Sequence, residues 1–255
     1  TIIERVFYTI YTSFDKESEI NKSLLGLQKI AEKLKNNSNY FTFEYISLIL
    51  IDLLYHESSD VIWNCLQLIQ ILSQSCRELL SLLIKNNLLQ ILLEVLEYTE
   101  LSTNAFHLIL TIASNIASYS PNNIATLFEF GYQNLIQQAI DTGNLNCKIR
   151  AAEFLSNIMY RGTRIQIESI INQSNIEFLF EFLDEEYENC LRHCILHGIS
   201  KSIEVGIFID EIEFKDILKA DKYTEVLYSL ANNEDEDSAD LAQCILSSIM
   251  TDQAE

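Results

Sequence analysis

The chain has 255 residues, of which 48% are hydrophobic, with one proline and six glycines. Its 37 acidic and 17 basic residues give a formal net charge of −20, which repels nucleic acid phosphates and anionic lipid head groups at long range. We therefore exclude nucleic acid and membrane surfaces as expected partners and favour a basic protein or peptide. The apolar residues are spread evenly, so the sequence predicts a core along its whole length rather than disorder.

The N-terminal part of the chain has the three- and four-residue apolar spacing of amphipathic helices. Helices are predicted over 2–13, 18–35, 41–55 and 60–74. The run Asn36, Asn37 and Ser38 interrupts the pattern after the second of them. Ser58 or Ser59 is expected to cap the fourth, since serine favours the position before a helix.

The middle of the chain is divided into shorter segments by asparagine, glycine and proline. Helices are predicted over 77–85, 88–98, 103–118, 122–130, 132–141, 145–160, 164–172 and 175–185. Asn87 stands where a residue can take the left-handed conformation that ends a helix. Pro121 is interpreted as a helix start, because the first helical turn needs no N–H from that residue.

The C-terminal part predicts four further helices and carries much of the acidic charge. They are predicted over 188–204, 209–219, 222–232 and 237–251, the first of them ending near Gly206. Acidic runs occur at 184–186 and 234–237. A charged outer surface on the last unit is what a capped repeat protein requires for solubility.

The layout of apolar and polar positions repeats along the chain. Gln70 and Asn157 each stand nineteen residues before an apolar run, and Asn115 and Asn157 each lie in a Ser-Asn-Ile sequence. These three positions are 45 and 42 residues apart, a period typical of two- or three-helix solenoid repeats. Each unit is too small to bury its own apolar face, so neighbouring units are expected to stack and share one elongated core.

The segment 148–183, KIRAAEFLSNIMYRGTRIQIESIINQSNIEFLFEFL, resembles an armadillo repeat of the importin alpha and beta-catenin type. The resemblance extends over roughly 18–230. It implies an all-α, armadillo/HEAT-like right-handed α-solenoid of about four to five repeats. A single solenoid over 1–255 is expected, with degenerate N-terminal repeats over 1–58, the clearest repeats over 59–187, and a degenerate repeat with its cap over 188–255.

The same resemblance implies a peptide-binding groove. In the family, the third helices line a concave groove, and an asparagine on each of them holds the main chain of an extended peptide. The resemblance places Asn115 and Asn157 in that role, with Gln70 in the same place in the first unit and Ile199 about there in the fourth.

The residues four positions before Gln70, Asn115 and Asn157 differ from those of importin alpha. That family usually carries tryptophan there, in slots for the lysine stems of a nuclear localisation signal, whereas this chain has Leu66, Thr111 and Glu153. The one tryptophan, Trp63, lies seven residues before Gln70. Thr111 and Glu153 are further candidates for partner contact. Glu153 either receives a Lys or Arg of the partner or pairs with Arg150 on its own helix, and both interpretations stay open.

Cysteine and histidine cluster in one segment, CLRHCILH, over residues 190–197. Its Cys190, His193, Cys194 and His197 lie on one side of one helix. A single straight helix cannot surround zinc with these four, because the outer two are about 10 Å apart along the axis. No metal is therefore predicted. The segment is interpreted as a core stripe in which Cys194 and Leu191 point inward, while His193 or His197 is a partly exposed polar neighbour.

The remaining cysteines and the start of the chain bear on location. The six cysteines are Cys65, Cys76, Cys147, Cys190, Cys194 and Cys244. In a chain with this much core they are interpreted as buried thiols of a reducing compartment. The first residues do not resemble an export signal, and no run of eighteen apolar residues occurs. A cytoplasmic location is expected, with the cytosol, cytoskeleton, cilium and nucleus left open.

The sequence has no motif for catalysis. It lacks a glycine-rich phosphate loop, a G-x-S-x-G and an H-E-x-x-H, so neither catalytic residues nor cofactors are predicted. The favoured function is a non-catalytic scaffold or adaptor that binds a protein or extended peptide along the groove. The alternatives are a fixed subunit of a large cytoskeletal or ciliary assembly, an importin-alpha-like transport adaptor, and an enzyme with an unrecognised site.

Overall fold

A computed structural model describes residues 2–13, 16–33, 43–97, 102–184 and 189–251, which form sixteen helices and one short hairpin. The N-terminal helices are α1 (Ile2–Thr12), α2 (Glu17–Lys33), α3 (Phe43–Leu53), α4 (Ser59–Ser75), α5 (Arg77–Lys85), α6 (Leu88–Glu97) and α7 (Ser102–Tyr119). They are followed by α8 (Pro121–Glu129), α9 (Gln133–Thr142), α10 (Leu145–Arg161), α11 (Arg164–Glu168), α12 (Gln173–Asp184) and α13 (Asn189–Glu204). The chain ends with β1 (Phe208–Ile209), β2 (Ile212–Glu213), α14 (Phe214–Ile217), α15 (Asp221–Ala231) and α16 (Glu236–Met250).

Most predicted helices are confirmed with bounds shifted by a residue or two, the usual uncertainty of helix ends, but the helix predicted over 164–172 ends four residues earlier, at Glu168. Asn87 takes the predicted left-handed conformation, with φ of 65°. Pro121 is the first residue of α8, and the Ser120 side chain before it accepts a hydrogen bond from the Asn123 N–H. Gly131, with φ of 81°, separates α8 from α9. The local sequence therefore determines where these helices begin and end.

The chain divides into two compact units, Thr1–Ile116 and Ala117–Glu255, with the boundary inside α7. In both units, long helices of 15 to 18 residues alternate with shorter ones. The long helices are α2, α4, α7, α10, α13 and α16. In unit 1, α2 packs against α4 and α3 against α5; in unit 2, α13 packs between α10 and α16.

Hydrogen bonds within each unit show the repeat period directly. In unit 1, Asn64 bonds to Asn21, 43 residues earlier, and Asn115 bonds to Ser73, 42 residues earlier. In unit 2, the Gln166 side chain donates to the main-chain oxygen of Pro121, 45 residues earlier. Because a parallel neighbour one repeat away presents the equivalent position, such bonds form only when successive repeats stack in register.

The core of each unit consists of aliphatic and aromatic side chains from the inward sides of the helices. In unit 1, Leu24 of α2 and Leu66 of α4 are fully buried. In unit 2, Phe154 of α10 and Ile195 of α13 are likewise fully buried. Removing such side chains from water contributes about 1.5–3 kcal/mol each to folding, so this burial is the main stabilising term.

Glycine permits a close approach of α10 and α13 in unit 2. A Cβ atom at Gly198 would lie 3.1 Å from both the Ser156 main-chain oxygen and the Met159 Cβ. The Ser-Asn-Ile sequence at 156–158 therefore packs against a helix that has no side chain at the point of contact. A larger residue at 198 would force the two helices apart.

The helix predicted over 209–219 is wrong in its first part. Residues 208–213 form an antiparallel hairpin in which Ile209 pairs with Ile212, and only α14 (Phe214–Ile217) is helical in the predicted range. The two turn residues, Asp210 and Glu211, have φ of 49° and 68°. Positive φ at both central positions is the two-residue hairpin turn whose twist matches that of the strands. The fold remains all-α apart from this hairpin.

The cysteines are less uniformly buried than predicted. Cys65, Cys76 and Cys147 are buried, and burial raises the pKa of the Cys65 thiol above its usual range. By contrast, Cys190 and Cys244 are exposed, because each lies on the solvent-facing side of its helix. The interpretation of all six as core thiols is wrong for these two.

No single helix in the described ranges is long and apolar enough to cross a membrane. The helices α5 and α6 pass the length and composition test only together, and they are bent by 72° at their junction.

Candidate functional site

Unit 1 carries a row of side-chain amides on three long helices; four of them are half-buried, and Gln28 is 9% exposed. Asn64 Nδ2 donates to Asn21 Oδ1 at 3.0 Å. Gln28 Nε2 donates to the Asn64 main-chain oxygen at 2.8 Å and to Gln67 Oε1 at 3.5 Å. We refer to Asn21, Gln28, Asn64, Gln67 and Asn115 as the amide face. Every member carries both donors and acceptors and no charge.

Asn115 and Gln70, both predicted from sequence, are connected through a residue that was not predicted. Asn115 Nδ2 donates to Ser73 Oγ at 2.7 Å, and Ser73 Oγ donates to the Gln70 main-chain oxygen at 2.7 Å. The Ser73 side chain is 1% exposed, so the bond fixes the Asn115 amide at the edge of the core. The signal for Ser73 was the 42-residue spacing to Asn115, the same as between the two Ser-Asn-Ile sequences.

Thr111 lies one turn before Asn115 on α7 but is mostly covered. It is 7% exposed, and its hydroxyl donates to the His107 main-chain oxygen at 2.7 Å. The His107 ring lies 6.0 Å from the ring of Trp63 on α4. Thr111 therefore offers a partner little surface. Its predicted contact, like those of the other groove residues, stays a prediction.

In unit 2 the corresponding side of the long helices carries charge. Arg150 Nη1 donates to both carboxylate oxygens of Glu153, at 2.7 and 2.8 Å. Of the two interpretations of Glu153, the structure shows the pair with Arg150. Asn157 lies one turn further along α10 and is half-buried. The predicted equivalent on α13, Ile199, is 1% exposed, so its placement in a groove is wrong: it belongs to the core.

The Cys/His segment of α13 belongs to the core only in part. Leu191 is 2% exposed and the two histidines are partly or fully exposed, as predicted, but Cys194, which was predicted to point inward, is only half-buried. The aliphatic side chains of Leu191, Ile195 and Ile199 face the core instead, because burying aliphatic groups is more favourable than burying imidazoles.

His193 forms a polar cluster with the start of α16. Its Nε2 lies 2.8 Å from Asp235 Oδ2, which also accepts a hydrogen bond from Ser238 Oγ at 2.6 Å. The Ser238 hydrogen bond, followed by that of His193, holds the pKa of the Asp235 carboxyl below its usual range. Ligand atoms of His193, Asp235 and Asp237 all lie within 4.8 Å of one another. A cation there would have to replace the hydrogen bond between His193 and Asp235.

Two further ionised pairs of unit 2 are joined by hydrogen bonds, one within a helix and one between helices. Arg164 Nε donates to Glu168 Oε1 at 2.8 Å, and Lys222 Nζ donates to Glu177 Oε1 at 2.6 Å. These bonds lower the pKa of both carboxyls. Carboxylates held in the ionised form suit electrostatic binding, whereas a general acid at neutral pH needs a raised pKa.

No protein-family model and no curated protein matches the sequence. Solved structures do match over nearly the whole chain. "Designed armadillo repeat protein YIII(Dq.V1)4CPAF in complex with peptide (KR)4" is 20% identical with a TM-score of 0.74, covering 98% of this chain and 100% of that chain. "Designed armadillo repeat protein YIII(Dq)4CqI" is 21% identical with a TM-score of 0.72, covering 92% and 94%.

A third match is described as computationally designed armadillo repeat proteins for modular peptide recognition. It is 20% identical with a TM-score of 0.74, covering 96% of this chain and 98% of that chain. At such identities the likeness concerns the fold. The chain has the armadillo-repeat fold, an all-α solenoid, and this prediction from the sequence is confirmed.

Proposed function

We propose that the protein is a non-catalytic scaffold or adaptor that binds a segment of another protein along the solvent-facing sides of its long helices. The amide face of unit 1 is the observation that carries this proposal. An extended peptide presents one N–H and one C=O per residue, and a carboxamide can donate to one and accept from the other. A row of amides on parallel helices therefore suits a main chain of any sequence.

The affinity cannot come from the amides alone. Each hydrogen bond contributes about 0.5–1.5 kcal/mol net, so about four of them reach only the millimolar range. The net charge of −20 adds attraction for Lys and Arg. A basic extended segment is therefore the proposed ligand. One structural neighbour is described as a complex with the basic peptide (KR)4.

A peptide titration tests the proposal. Fluorescence anisotropy would follow a labelled (KR)4 peptide added to the full chain, with a (GS)4 peptide for comparison. The double variant Asn115→Ala and Asn157→Ala should weaken binding about five- to thirtyfold, the equivalent of one or two hydrogen bonds. Gln138→Ala is the matched control, because Gln138 is an exposed amide on α9 and outside the predicted groove set. Unchanged affinity in the double variant would reject the groove assignment.

The structural-subunit alternative makes the opposite prediction. If the chain is a fixed part of a cytoskeletal or ciliary assembly, the double variant should leave its incorporation unchanged, and the contact should persist at high salt. A basic peptide held by carboxylates should dissociate as salt rises, because exposed charges are screened beyond about 8–10 Å. An importin-alpha-like adaptor would bind a nuclear localisation peptide in the same assay. An intracellular location is part of the proposal, and microscopy of the tagged protein checks it.

A further inference from the structure

After α1, which exposes Tyr8 at 63%, five further short helices each lie directly before a long helix: α3, α6, α9, α12 and α15. The solvent-facing sides of four of them are mainly polar. Their exposed residues include Gln90 and Glu97 on α6, Gln137 and Asp141 on α9, Glu177 and Glu181 on α12, and Asp221 and Glu225 on α15. In the described part of these four helices, Tyr228 is the one large apolar side chain that is more than a third exposed.

The helix α3 differs from the other four. Tyr45 is 40% exposed, Leu48 is 52% exposed, and Tyr55, in the turn after the helix, is 57% exposed. The spacing of three residues puts Tyr45 and Leu48 on one side of α3, and Tyr55 follows two residues after the helix ends at Leu53. We refer to Tyr45, Leu48 and Tyr55 as the apolar stripe. Contiguous exposed apolar side chains of this kind mark interaction sites more often than single ones do.

The apolar stripe is presented by a firmly held helix. The α3 helix packs against α5, and Asn86 Nδ2, after α5, donates to Ser47 Oγ on α3 at 3.0 Å. Tyr55 OH donates to Glu94 Oε2 on α6 at 3.3 Å, which orients the last ring of the stripe. A partner would therefore meet a preformed surface and would not have to order it.

The charge near the apolar stripe is mainly negative. Residues 36–76 contain no Lys or Arg, while Glu44, Asp52, Glu57 and Asp60 all fall in this range; the basic residues of the packed helix α5, Arg77 and Lys85, lie at its two ends. Glu94 adds a further carboxylate beside Tyr55. An apolar stripe with an acidic border complements an apolar surface with a basic border, and it disfavours an acidic partner or an anionic lipid surface.

We propose that the apolar stripe on α3 binds an amphipathic helix of a partner protein whose apolar side is flanked by Lys or Arg. Tyr45 and Leu48 lie one turn apart on α3 and Tyr55 follows in the turn after it, so the stripe can face about two turns of a second helix. This site uses other side chains than the amide face, so it does not depend on the groove proposal.

A designed peptide tests the inference with the full chain. The probe is a labelled fourteen-residue helix with leucines at i, i+3, i+7 and i+10 and lysines elsewhere, titrated by anisotropy in physiological salt. Two comparison peptides carry glutamate in place of lysine, or the same composition with the leucines moved off one side. We expect the lysine probe to bind and both comparison peptides to bind about tenfold more weakly or not at all.

Protein variants assign the binding to α3. The pair Tyr45→Gln and Leu48→Gln should weaken the lysine probe about tenfold, since two exposed apolar contacts are lost. Ile165→Gln is the matched control, because Ile165 is 77% exposed and lies in unit 2. Circular dichroism confirms that each variant is folded.

Three results would overturn the inference. The first is that the rearranged peptide binds as well as the probe, and the second is that the Tyr45→Gln and Leu48→Gln protein binds the probe like the wild type. The third is that the Asn115→Ala and Asn157→Ala protein no longer binds the probe. Sedimentation adds a fourth. Self-association of the wild-type chain that disappears in the stripe variant would assign the surface to a second copy instead.

Discussion

The two units place different chemistry on the solvent-facing sides of their long helices. In unit 1, neutral amides bond to one another across helices, as Asn64 does to Asn21 at 3.0 Å. In unit 2, charged groups pair along the helix, as Arg150 does with Glu153 at 2.7 Å. Neutral hydrogen bonds are insensitive to salt and to pH near neutrality, whereas charged pairs respond to both. The same helix arrangement can thus support one surface that is indifferent to solution conditions and one that is not.

The largest expected effect concerns how closely the long helices approach. Gly198→Val should lower the free energy of unfolding by about 1–3 kcal/mol, because its side chain would collide with the Ser156 main chain and Met159. Urea denaturation measures the loss, and hydrogen exchange should show it in α10 and α13.

A second glycine, in unit 1, gives the contrast. A Cβ at Gly26 of α2 would meet nothing within 4 Å. Gly26→Ala should therefore raise the free energy of unfolding by about 0.5–1 kcal/mol, as helix propensity predicts. Equal effects at Gly198 and Gly26 would show that close approach in unit 2 is not what glycine provides there.

The hydrogen bond between Asn21 and Asn64 in unit 1 should stabilise the folded protein more than a surface ion pair does. A double-mutant cycle of Asn21→Ala and Asn64→Ala should give a coupling of about 1 kcal/mol. The coupling should be the same at low and high salt, because neither side chain is charged. A coupling that falls with salt would contradict the description of this surface as neutral.

The equivalent double-mutant cycle in unit 2 should give a smaller coupling energy. The side chains of Arg150 and Glu153 are 38% and 18% exposed. Their coupling should be about 0.3–0.5 kcal/mol, and it should decline as salt rises. Melting temperatures of the four proteins of the cycle, in low and high salt, provide the measurement. A salt-independent coupling would remove the distinction between the two units.

The smallest expected effect is the pH dependence of the His193 cluster. The folded-state pKa of Asp235 lies below its ordinary value of 3.8, so its stabilising contribution is complete above that pH and is lost as the pH falls through the folded value. Asp235→Asn should be less stable than the wild type at pH 6, and the difference should shrink at pH 3. Asp240→Asn, an exposed change on the same helix, is the control.

Much of the fold was predictable because its determinants are local. Apolar spacing identified the long helices, and Pro121 and Asn87 identified helix boundaries. The hairpin at 208–213 was missed because its apolar residues also satisfy a helical spacing. The sequence IFIDEIEF has apolar residues on both sides of two acidic ones, which also suits a hairpin, and positive φ at Asp210 and Glu211 shows that the hairpin forms.

The candidate site was predictable only as a set of helix sides. Asn115 was found by its motif, but its partner Ser73 depends on the register between α4 and α7, which one helix does not encode. On α13 the spacing of Cys190, His193 and Cys194 defined a side of the helix without saying which side faces the core. The buried side is the one that carries Leu191, Ile195 and Ile199.

The hairpin turn has a consequence for laboratory evolution of this protein. Glu211 holds a backbone conformation that glycine adopts freely, at φ of 68°. Glutamate codons become glycine codons by a single base change. A library of random point mutants screened for survival after heating should therefore recover Glu211→Gly early, with a gain on the order of 0.5–1 kcal/mol. Sequencing the survivors would show whether the hairpin turn is the position at which single substitutions most readily raise the thermal stability of the protein.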